Sequence, residues 1–385
     1  MISKEWSRVG RKWLLSLLCV LSFVFAGIAG ADEGPIRIGV VNSLTGLNAF
    51  GGQLEVGGSQ LANQLYPEVL GRKVELVVVD NKSDKVEAAN GASRLIEMEK
   101  VVAIIAGYGS SYSIAAGEVA EKMKVPLVAT GASNPILTDG KKYVFRTAFI
   151  DPFQGAAAAN YTYNVLGLKK AAILIDVASD FSVGLSSFFK QSFLDLGGEI
   201  VSEMKYQSGD MDFTAQLTEI ISKKPDLVFM PSYFAEGAII LRQASELGAT
   251  FRFMGGDAMD NPEIVTLGGS AVEGFLHTTF AYDPSMPDMN EIAKEFTESW
   301  EKLYPGKVPN ANSALGYDAY VLILDAIKRA GSADREAIRD ALEQTKDVPT
   351  VTGMTTLDEH HNANKELGIV EIKDGKKVYI YTVRP

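Results

Sequence analysis

Two short serine-rich stretches carry residue types that could hold a small anion. Residues 107–113 read GYGSSYS and residues 125–134 read VPLVATGASN, and each stretch follows or contains a continuous apolar run. Such runs are typical of strands in a parallel sheet that is covered on both faces. Because ligands of these sheets lie at the carboxyl ends of the strands, Ser110, Ser111 and Ser133 are predicted to meet there. Together with the N–H groups of a helix start, they predict a carboxylate site.

Further polar and aromatic residues follow other predicted strands. Asp257 comes after two glycines and could accept an ammonium group, although it could equally be a turn aspartate that caps a helix. Tyr233 could face a ligand or be buried for packing. Phe181 and Phe50 could line an apolar pocket, although each alone is more often a loop anchor. Ser111 could also cap a helix, a role that uses the same N–H groups as anion binding.

The elements that position these residues alternate between strand and helix from Ile36 onward. The same rhythm restarts after Asp151, which predicts two α/β units of similar make. The tail adds a strand near residues 273–280, then helices, and finally a hairpin about the turn Asp374-Gly375. This tail is too small for a third domain and must complete both units, so several chain crossings and a hinge are expected.

The chain begins with a pattern typical of a cleaved signal peptide. Four basic residues precede an apolar run that starts at Trp13, and small residues lie before Asp32, so residues 1–31 are predicted to be removed. This segment contains Cys19, the only cysteine, so the mature chain is expected to form no disulfide. It would carry 33 basic and 47 acidic residues, a net charge of −14. Such a surface repels nucleic acid and anionic membranes.

Little in the sequence favours catalysis, a metal or a cofactor. The histidines are His277, His360 and His361, and the adjacent pair is expected to be polar turn residues on an exposed loop. A nucleophile elbow is absent from the sequence, and residues 107–112 lack the third glycine of a dinucleotide fingerprint. We therefore predict no catalytic residue, no metal site and no cofactor.

With these residues in view, the chain resembles the Leu/Ile/Val-binding family of ABC-transporter solute receptors, the type I periplasmic binding proteins. The resemblance spans residues 36–383. The segments that carry it are 36–46 (IRIGVVNSLTG), 131–135 (GASNP), 145–147 (FRT) with Asp151 and Gln154-Gly155, 241–244 (LRQA), 253–255 (FMG), 316–320 (GYDAY) and 360–364 (HHNAN).

The resemblance implies roles for the candidate residues. The family holds a ligand carboxylate, and part of its ammonium, with a serine after the third strand, here Ser110 with Ser111 beside it. A small-residue turn after the fourth strand also takes part, here Gly131-Ala132-Ser133. Gly131 would lend its carbonyl, and Ser133 its hydroxyl and N–H.

The second lobe of the family supplies a tyrosine and, 24 residues later, an acidic residue to the ammonium. Tyr233 and Asp257 keep that spacing, and the flanking aromatic positions match Phe50 and Phe181. The acid is Asp where the family often has Glu, and both aromatic positions are Phe where Tyr is frequent. These differences suit an apolar ligand side chain.

The fold implied is α/β, with two Rossmann-like lobes joined by a three-strand hinge. The expected function is periplasmic capture of an aliphatic, branched-chain type L-amino acid by hinge closure, as a monomer, for the membrane permease of an ABC transporter. The same fold could instead bind an amide, urea or aromatic carboxylic acid, and a secreted enzyme using Ser110 or Ser111 is a third hypothesis. The expected boundaries are 35–152 plus 279–354 for lobe 1 and 153–278 plus 355–385 for lobe 2, with crossings near Asp151, Thr278 and Met354.

Overall fold

The computed structural model describes residues 34–286 and 288–385, so the predicted signal peptide lies outside the described residues. Residues 36–385 form one compact unit, and two large sheets organise it. Within the described part of the chain, none of the helices combines the length and apolar character needed to cross a bilayer.

The first sheet has six strands in the order β2-β3-β1-β4-β5-β6, all parallel except β2. Its strands are β1 (Ile36–Asn42), β2 (Glu68–Val69), β3 (Arg72–Asp80), β4 (Ala103–Ala106), β5 (Leu127–Ala129) and β6 (Val144–Arg146). Helices α1 (Ala49–Leu65), α2 (Lys85–Glu97) and α3 (Ser110–Met123) connect them. Both β1 and β4 are apolar and almost entirely buried, as parallel strands covered on two faces must be.

The second sheet has seven strands in the order β15-β14-β11-β10-β9-β7-β8. The elements of this part are α4 (Asp151–Asn160), β7 (Lys170–Asp176), α5 (Asp180–Asp195), β8 (Glu199–Tyr206), α6 (Thr214–Lys223), β9 (Leu227–Phe229), α7 (Phe234–Glu246), β10 (Arg252–Gly255), α8 (Glu263–Gly268) and β11 (Leu276–Phe280). After a helical excursion, β14 (Leu367–Lys373) and β15 (Lys376–Val383) add an antiparallel hairpin to β11.

The excursion between β11 and β14 returns to the first sheet. It contains α9 (Glu291–Leu303), α10 (Ala311–Ala330), α11 (Arg335–Glu343) and the small hairpin of β12 (Val348–Thr350) and β13 (Gly353–Thr355). Buried side chains of α9, α10 and α11 join those of β1 in one core cluster. The chain therefore passes between the sheets three times: after β6, after β11 and after β13.

Each sheet has apolar cores on both faces. The first sheet lies between a cluster with α1 and α10 and another with α2 and α3. The second lies between clusters formed with α4 and α5 and with α6 and α7. These are two doubly wound layers, so the predicted fold of two Rossmann-like lobes joined by three chain crossings is confirmed.

The strand order marks one crevice in each lobe. The direction in which successive strands are added to the sheet reverses between the parallel strands β1 and β4 in the first sheet and between β7 and β9 in the second. At such switch points the loops leave the sheet in opposite directions and open a crevice at the carboxyl ends. All the candidate residues follow strands at these ends or at the neighbouring β5 and β10.

Candidate functional site

Unpartnered backbone donors mark the start of α3. Gly109 precedes the helix with φ of 110° and offers no side chain to cap it. The N–H of Ser113 donates to Gly109 O, whereas those of Ser110, Ser111 and Tyr112 donate to no group among the described residues. Because the helix dipole also favours negative charge here, this helix end can bind a carboxylate.

The turn after β5 contributes a second set of donors. Ser133 is fully buried, and its hydroxyl, which lies beside the Asp151 carboxylate, makes no hydrogen bond of normal geometry among the described residues. The carbonyls of Ala132 and Asn134 each accept from the buried Arg146 at 2.9 Å, and Ser133 O accepts from Asp151 N at 3.0 Å. Because Arg146 and Asp151 N donate to these carbonyls, the turn is fixed in place. The Ser133 N–H and hydroxyl remain able to donate to another acceptor.

A hydrogen bond joins the two donor groups. Asn134 N donates to Ser110 Oγ at 3.2 Å, so the turn and the start of α3 lie side by side. Ser110 Oγ accepts this bond and keeps its proton for a further acceptor. Gly131, at the beginning of the turn, donates its N–H to Glu55 Oε1 at 3.3 Å.

An unpartnered carboxylate lies in the second lobe. Asp257 is 4% exposed, and within the part of the chain that the structure describes its Oδ1 has no hydrogen-bond partner. Its N–H donates to Gln154 Oε1 at 2.9 Å, and Gln154 Nε2 donates to Asp151 Oδ1 at 3.2 Å. Burial, reinforced by the neighbouring Asp151 carboxylate, raises the pKa of Asp257 well above its usual range. A buried carboxylate of this kind is a natural acceptor for a cation.

Aromatic rings connect the two sides. The Phe181 and Tyr233 ring centroids are 5.8 Å apart, and those of Tyr233 and Tyr108 are 5.5 Å apart. The Tyr233 hydroxyl lies close to Gly109, where a β-carbon would be only 2.9 Å from it. Phe181 reaches Gly256, directly before Asp257, in the same way. The aromatic side chains therefore form an apolar wall between the donors and Asp257.

The structure thus brings most of the predicted site residues together. Ser110 contacts the turn that contains Gly131, Ala132 and Ser133, and Asp151 with Gln154 links Ser133 to Asp257. The rings of Phe181 and Tyr233 contact each other and lie against Gly256 and Gly109, respectively. The Phe50 ring packs against that of Phe234, the residue after Tyr233, at 5.6 Å. The hydroxyl of Ser111 bonds to Asp180, a residue of the other lobe.

Sequence reasoning missed residues at this site whose importance comes from packing. The Tyr108 hydroxyl donates to Ala258 O across the lobes at 3.0 Å, although Tyr108 lies inside the serine-rich motif itself. Glu55 is buried in α1, where it accepts from Asn42 Nδ2 at 2.8 Å, and burial raises its pKa to about 7. A charged residue flanked by two glycine pairs, 51–52 and 57–58, was a signal of close helix packing.

The prediction that both adjacent histidines lie on an exposed loop was wrong for His361. His360 is exposed, but His361 is buried, stacks on Phe145 at 4.2 Å, and its Nδ1 lies 3.0 Å from Val144 O. The ring fills a gap beside β6, a packing role that a single sequence cannot reveal. No cluster of three or more potential metal ligands occurs within residues 34–286 and 288–385.

Comparison with known proteins adds to this geometry. A family model described as periplasmic binding protein matches residues 35–377. The Leu/Ile/Val-binding protein BraC3 of Rhizobium johnstonii is 31% identical over 353 residues, covering 90% of this chain and 92% of the relative.

Solved structures agree with the sequence relatives. The leucine-binding protein LivK of Thermotoga maritima is 43% identical with a TM-score of 0.88, covering 91% of this chain and 99% of that one. The substrate-binding protein LivJ of Streptococcus pneumoniae, in complex with isoleucine, is 32% identical with a TM-score of 0.85, covering 91% and 100%. A Rhodopseudomonas palustris solute-binding protein in complex with 3,4-dihydroxybenzoic acid is 25% identical with a TM-score of 0.82, covering 91% and 98%.

The chain belongs to the periplasmic binding protein family, in its branched-chain amino acid (Leu/Ile/Val) binding group. The resemblance inferred from the sequence motifs is thereby confirmed. Its fold is that of the type I periplasmic binding proteins.

Proposed function

We propose that this protein captures an aliphatic, branched-chain type L-amino acid as its zwitterion between the two lobes. The ligand carboxylate would accept from the N–H groups at the start of α3 and from Ser133. The ligand ammonium would donate to Asp257 Oδ1. The observation that carries the proposal is a complementary pair of groups without partners among the described residues: donors on the first sheet, with Ser133 fully buried, and the buried Asp257 carboxylate on the second. Hydrogen bonds through Asp151 and Gln154 link the two groups.

The aromatic wall supports an apolar ligand side chain. Phe181 and Tyr233, with Tyr108 behind them, present ring faces between the polar ends of the site. Phe50 would extend this wall through its contact with Phe234, which follows Tyr233. A branched aliphatic side chain gains from burial against such rings, at about 25 cal/mol per Å² of apolar surface removed from water.

Closure about the three crossings supplies the mechanism. The two lobes would comprise residues 35–152 plus 279–354 and residues 153–278 plus 355–385. Hydrogen bonds between them include Asn310 Nδ2 to Asp260 O, at 2.7 Å, next to the site. A ligand that touches both lobes only in the closed form shifts the population toward closure. The closed protein, exported by the segment 1–31, would then deliver the ligand to an ABC-transporter permease.

A rival ligand class is an aromatic carboxylic acid, the kind bound by the Rhodopseudomonas palustris relative. Such a ligand could use the donors at α3 and Ser133, but it offers no ammonium to Asp257. Leaving that buried carboxylate unpaired is unfavourable by about 1–3 kcal/mol or more. The amino acid is therefore the better fit.

The test is thermal unfolding of the mature protein after ligand removal by unfolding and refolding. L-leucine, L-isoleucine and L-valine should raise the melting temperature, since binding to the native state adds RT ln(1 + [L]/Kd) to stability. L-leucinamide, 4-methylpentanoate and benzoate, each lacking one charged group, should do so weakly or not at all. Stabilisation by benzoate or 4-methylpentanoate equal to that by leucine would contradict the ammonium assignment. Such stabilisation by benzoate would also favour the aromatic-acid hypothesis.

A further inference from the structure

One charged residue at the start of α5 joins the two lobes beside the site. The Asp180 carboxylate accepts from Ser111 Oγ at 2.8 Å and from Lys85 Nζ at 2.9 Å through its Oδ2 atom. The Asp180 N–H donates back to Ser111 Oγ at 3.0 Å, and the Asp180 carbonyl accepts from Asn134 Nδ2 at 2.7 Å. Asp180 belongs to the second lobe, whereas its three partners belong to three different segments of the first.

The Lys85 and Asp180 side chains are 51% and 43% exposed, but their ion pair joins two lobes rather than neighbouring residues of one lobe. Each Asp180 contact crosses the cleft, so all four are lost together when the lobes separate. Although burial alone would raise it, the hydrogen bonds from Lys85 and Ser111 hold the pKa of Asp180 below its usual range, so the residue is charged at neutral pH. The lysine also offsets the negative charge that would otherwise repel a carboxylate bound at α3.

The hydroxyl and the backbone N–H of Ser111 have different roles. Its hydroxyl both donates to Asp180 Oδ2 and accepts from the Asp180 N–H. Its own N–H, at the start of α3, has no partner among the described residues. The hydroxyl therefore serves the lobe contact, while the N–H is left for a ligand.

We propose that Asp180 is an interlobe latch: it strengthens ligand affinity without touching the ligand, by holding the closed form through Lys85 and the Ser111 hydroxyl. This proposal rests on the proposed function in taking closure as the binding step. It assigns Asp180 and Lys85 a role in affinity but none in choosing between amino acids.

The first experiment measures L-leucine and L-valine affinity by calorimetry in Asp180→Ala, Lys85→Met and Ser111→Ala. Asp180→Ala should weaken the binding of both ligands by roughly three- to tenfold, because the half-buried hydrogen bond from Ser111 and the exposed pair with Lys85 are lost from the closed form. The leucine-to-valine affinity ratio should stay constant. Lys190→Met is the matched control, since Lys190 pairs with Glu203 at 2.6 Å within one lobe and at similar exposure.

Ser111→Ala distinguishes the latch from direct ligand binding. In Asp180→Ala the Ser111 hydroxyl can still accept from the backbone N–H of residue 180. If the hydroxyl serves the lobe contact, the losses in Ser111→Ala/Asp180→Ala should therefore be clearly less than additive, with leucine binding only slightly weaker than in Asp180→Ala alone. Fully additive losses would mean that the hydroxyl contacts the ligand, and the latch proposal would be wrong. A changed leucine-to-valine ratio in Asp180→Ala would overturn it as well.

A ligand-free measurement separates the latch from the identity of the ligand. Spin labels at Leu47→Cys and Met211→Cys, both exposed, would report the width of the cleft, since Gly209 lies against Leu47 across the lobes. Without ligand, Asp180→Ala should lose the short-distance population that the unmodified protein has. Identical distance distributions would refute the latch even if leucine binds. A shifted distribution would support it even if no amino acid binds, a result that would defeat only the proposed function.

Discussion

Replacement of Asp257 by asparagine changes charge while keeping shape, and so tests the ammonium assignment directly. The Asp257 Oδ1 atom has no hydrogen-bond partner in residues 34–286 and 288–385, and the residue is 4% exposed. In the ligand-free protein, Asp257→Asn removes a buried acidic group whose ionisation is unfavourable. Because the pKa of Asp257 is raised on folding, this group weakens the folded state as pH rises toward neutrality. The variant should therefore be more stable than the parent at pH 7.

The effect on binding should be opposite and larger. Breaking a buried, hydrogen-bonded charge pair removes about 2–5 kcal/mol, which corresponds to a loss of about 30-fold to several thousandfold in affinity. The upper part of this range applies where water cannot replace the lost partner, and the burial of Asp257 favours that part. The ammonium would also meet the Nδ2 donors of asparagine.

The assay is calorimetric titration of L-leucine and of 4-methylpentanoate, which lacks the amine. Asp257→Asn should strongly weaken the binding of leucine and leave the affinity for 4-methylpentanoate little changed. The preference of the protein for leucine over 4-methylpentanoate should therefore disappear. Asp176→Asn is the control, because Asp176 also ends a strand of the second sheet but its carboxylate already accepts from Ala178 N and Ser208 Oγ. An unchanged leucine affinity in Asp257→Asn would refute the reasoning.

Three other outcomes are expected. Ser133→Ala should weaken leucine binding about tenfold or more, since a hydrogen bond to a charged group contributes about 1.5–3 kcal/mol. An affinity equal to that of the unmodified protein in calorimetric titration would contradict the carboxylate site. Leucine affinity should rise as pH increases toward the raised pKa of Asp257, because below that pKa leucine binding must release the Asp257 proton. Calorimetric titrations in buffers of different ionisation enthalpy would detect the released proton. Binding heats that do not depend on the buffer at acidic pH would contradict this prediction. Gly109→Ala should lower the free energy of unfolding by about 1–3 kcal/mol and weaken leucine binding, because φ of residue 109 is 110° and Tyr233 Oη would lie 2.9 Å from the new β-carbon. An unchanged denaturation midpoint would show that the site tolerates the β-carbon.

The strands and helices were largely readable from the sequence. Long apolar runs and amphipathic segments have strong periodicity, and the hairpin about Asp374-Gly375 was predicted correctly. The three-residue strand β6 was missed because it ends in a buried arginine, Arg146, and so does not resemble an apolar run. The strand predicted near residues 273–280 begins only at Leu276, because residues 269–272 form a 3₁₀ helix.

The sequence by itself determined which side chains follow strand ends, because in a doubly wound sheet every such position points toward the ligand edge. It therefore supplied Ser110, Ser133 and Asp257 as candidates. Only the tertiary structure decided that Asp151 and Gln154 connect Ser133 with Asp257, and that the Ser111 hydroxyl belongs to Asp180. These contacts join residues that lie far apart in the chain, and such long-range pairing depends on how the lobes meet rather than on local pattern.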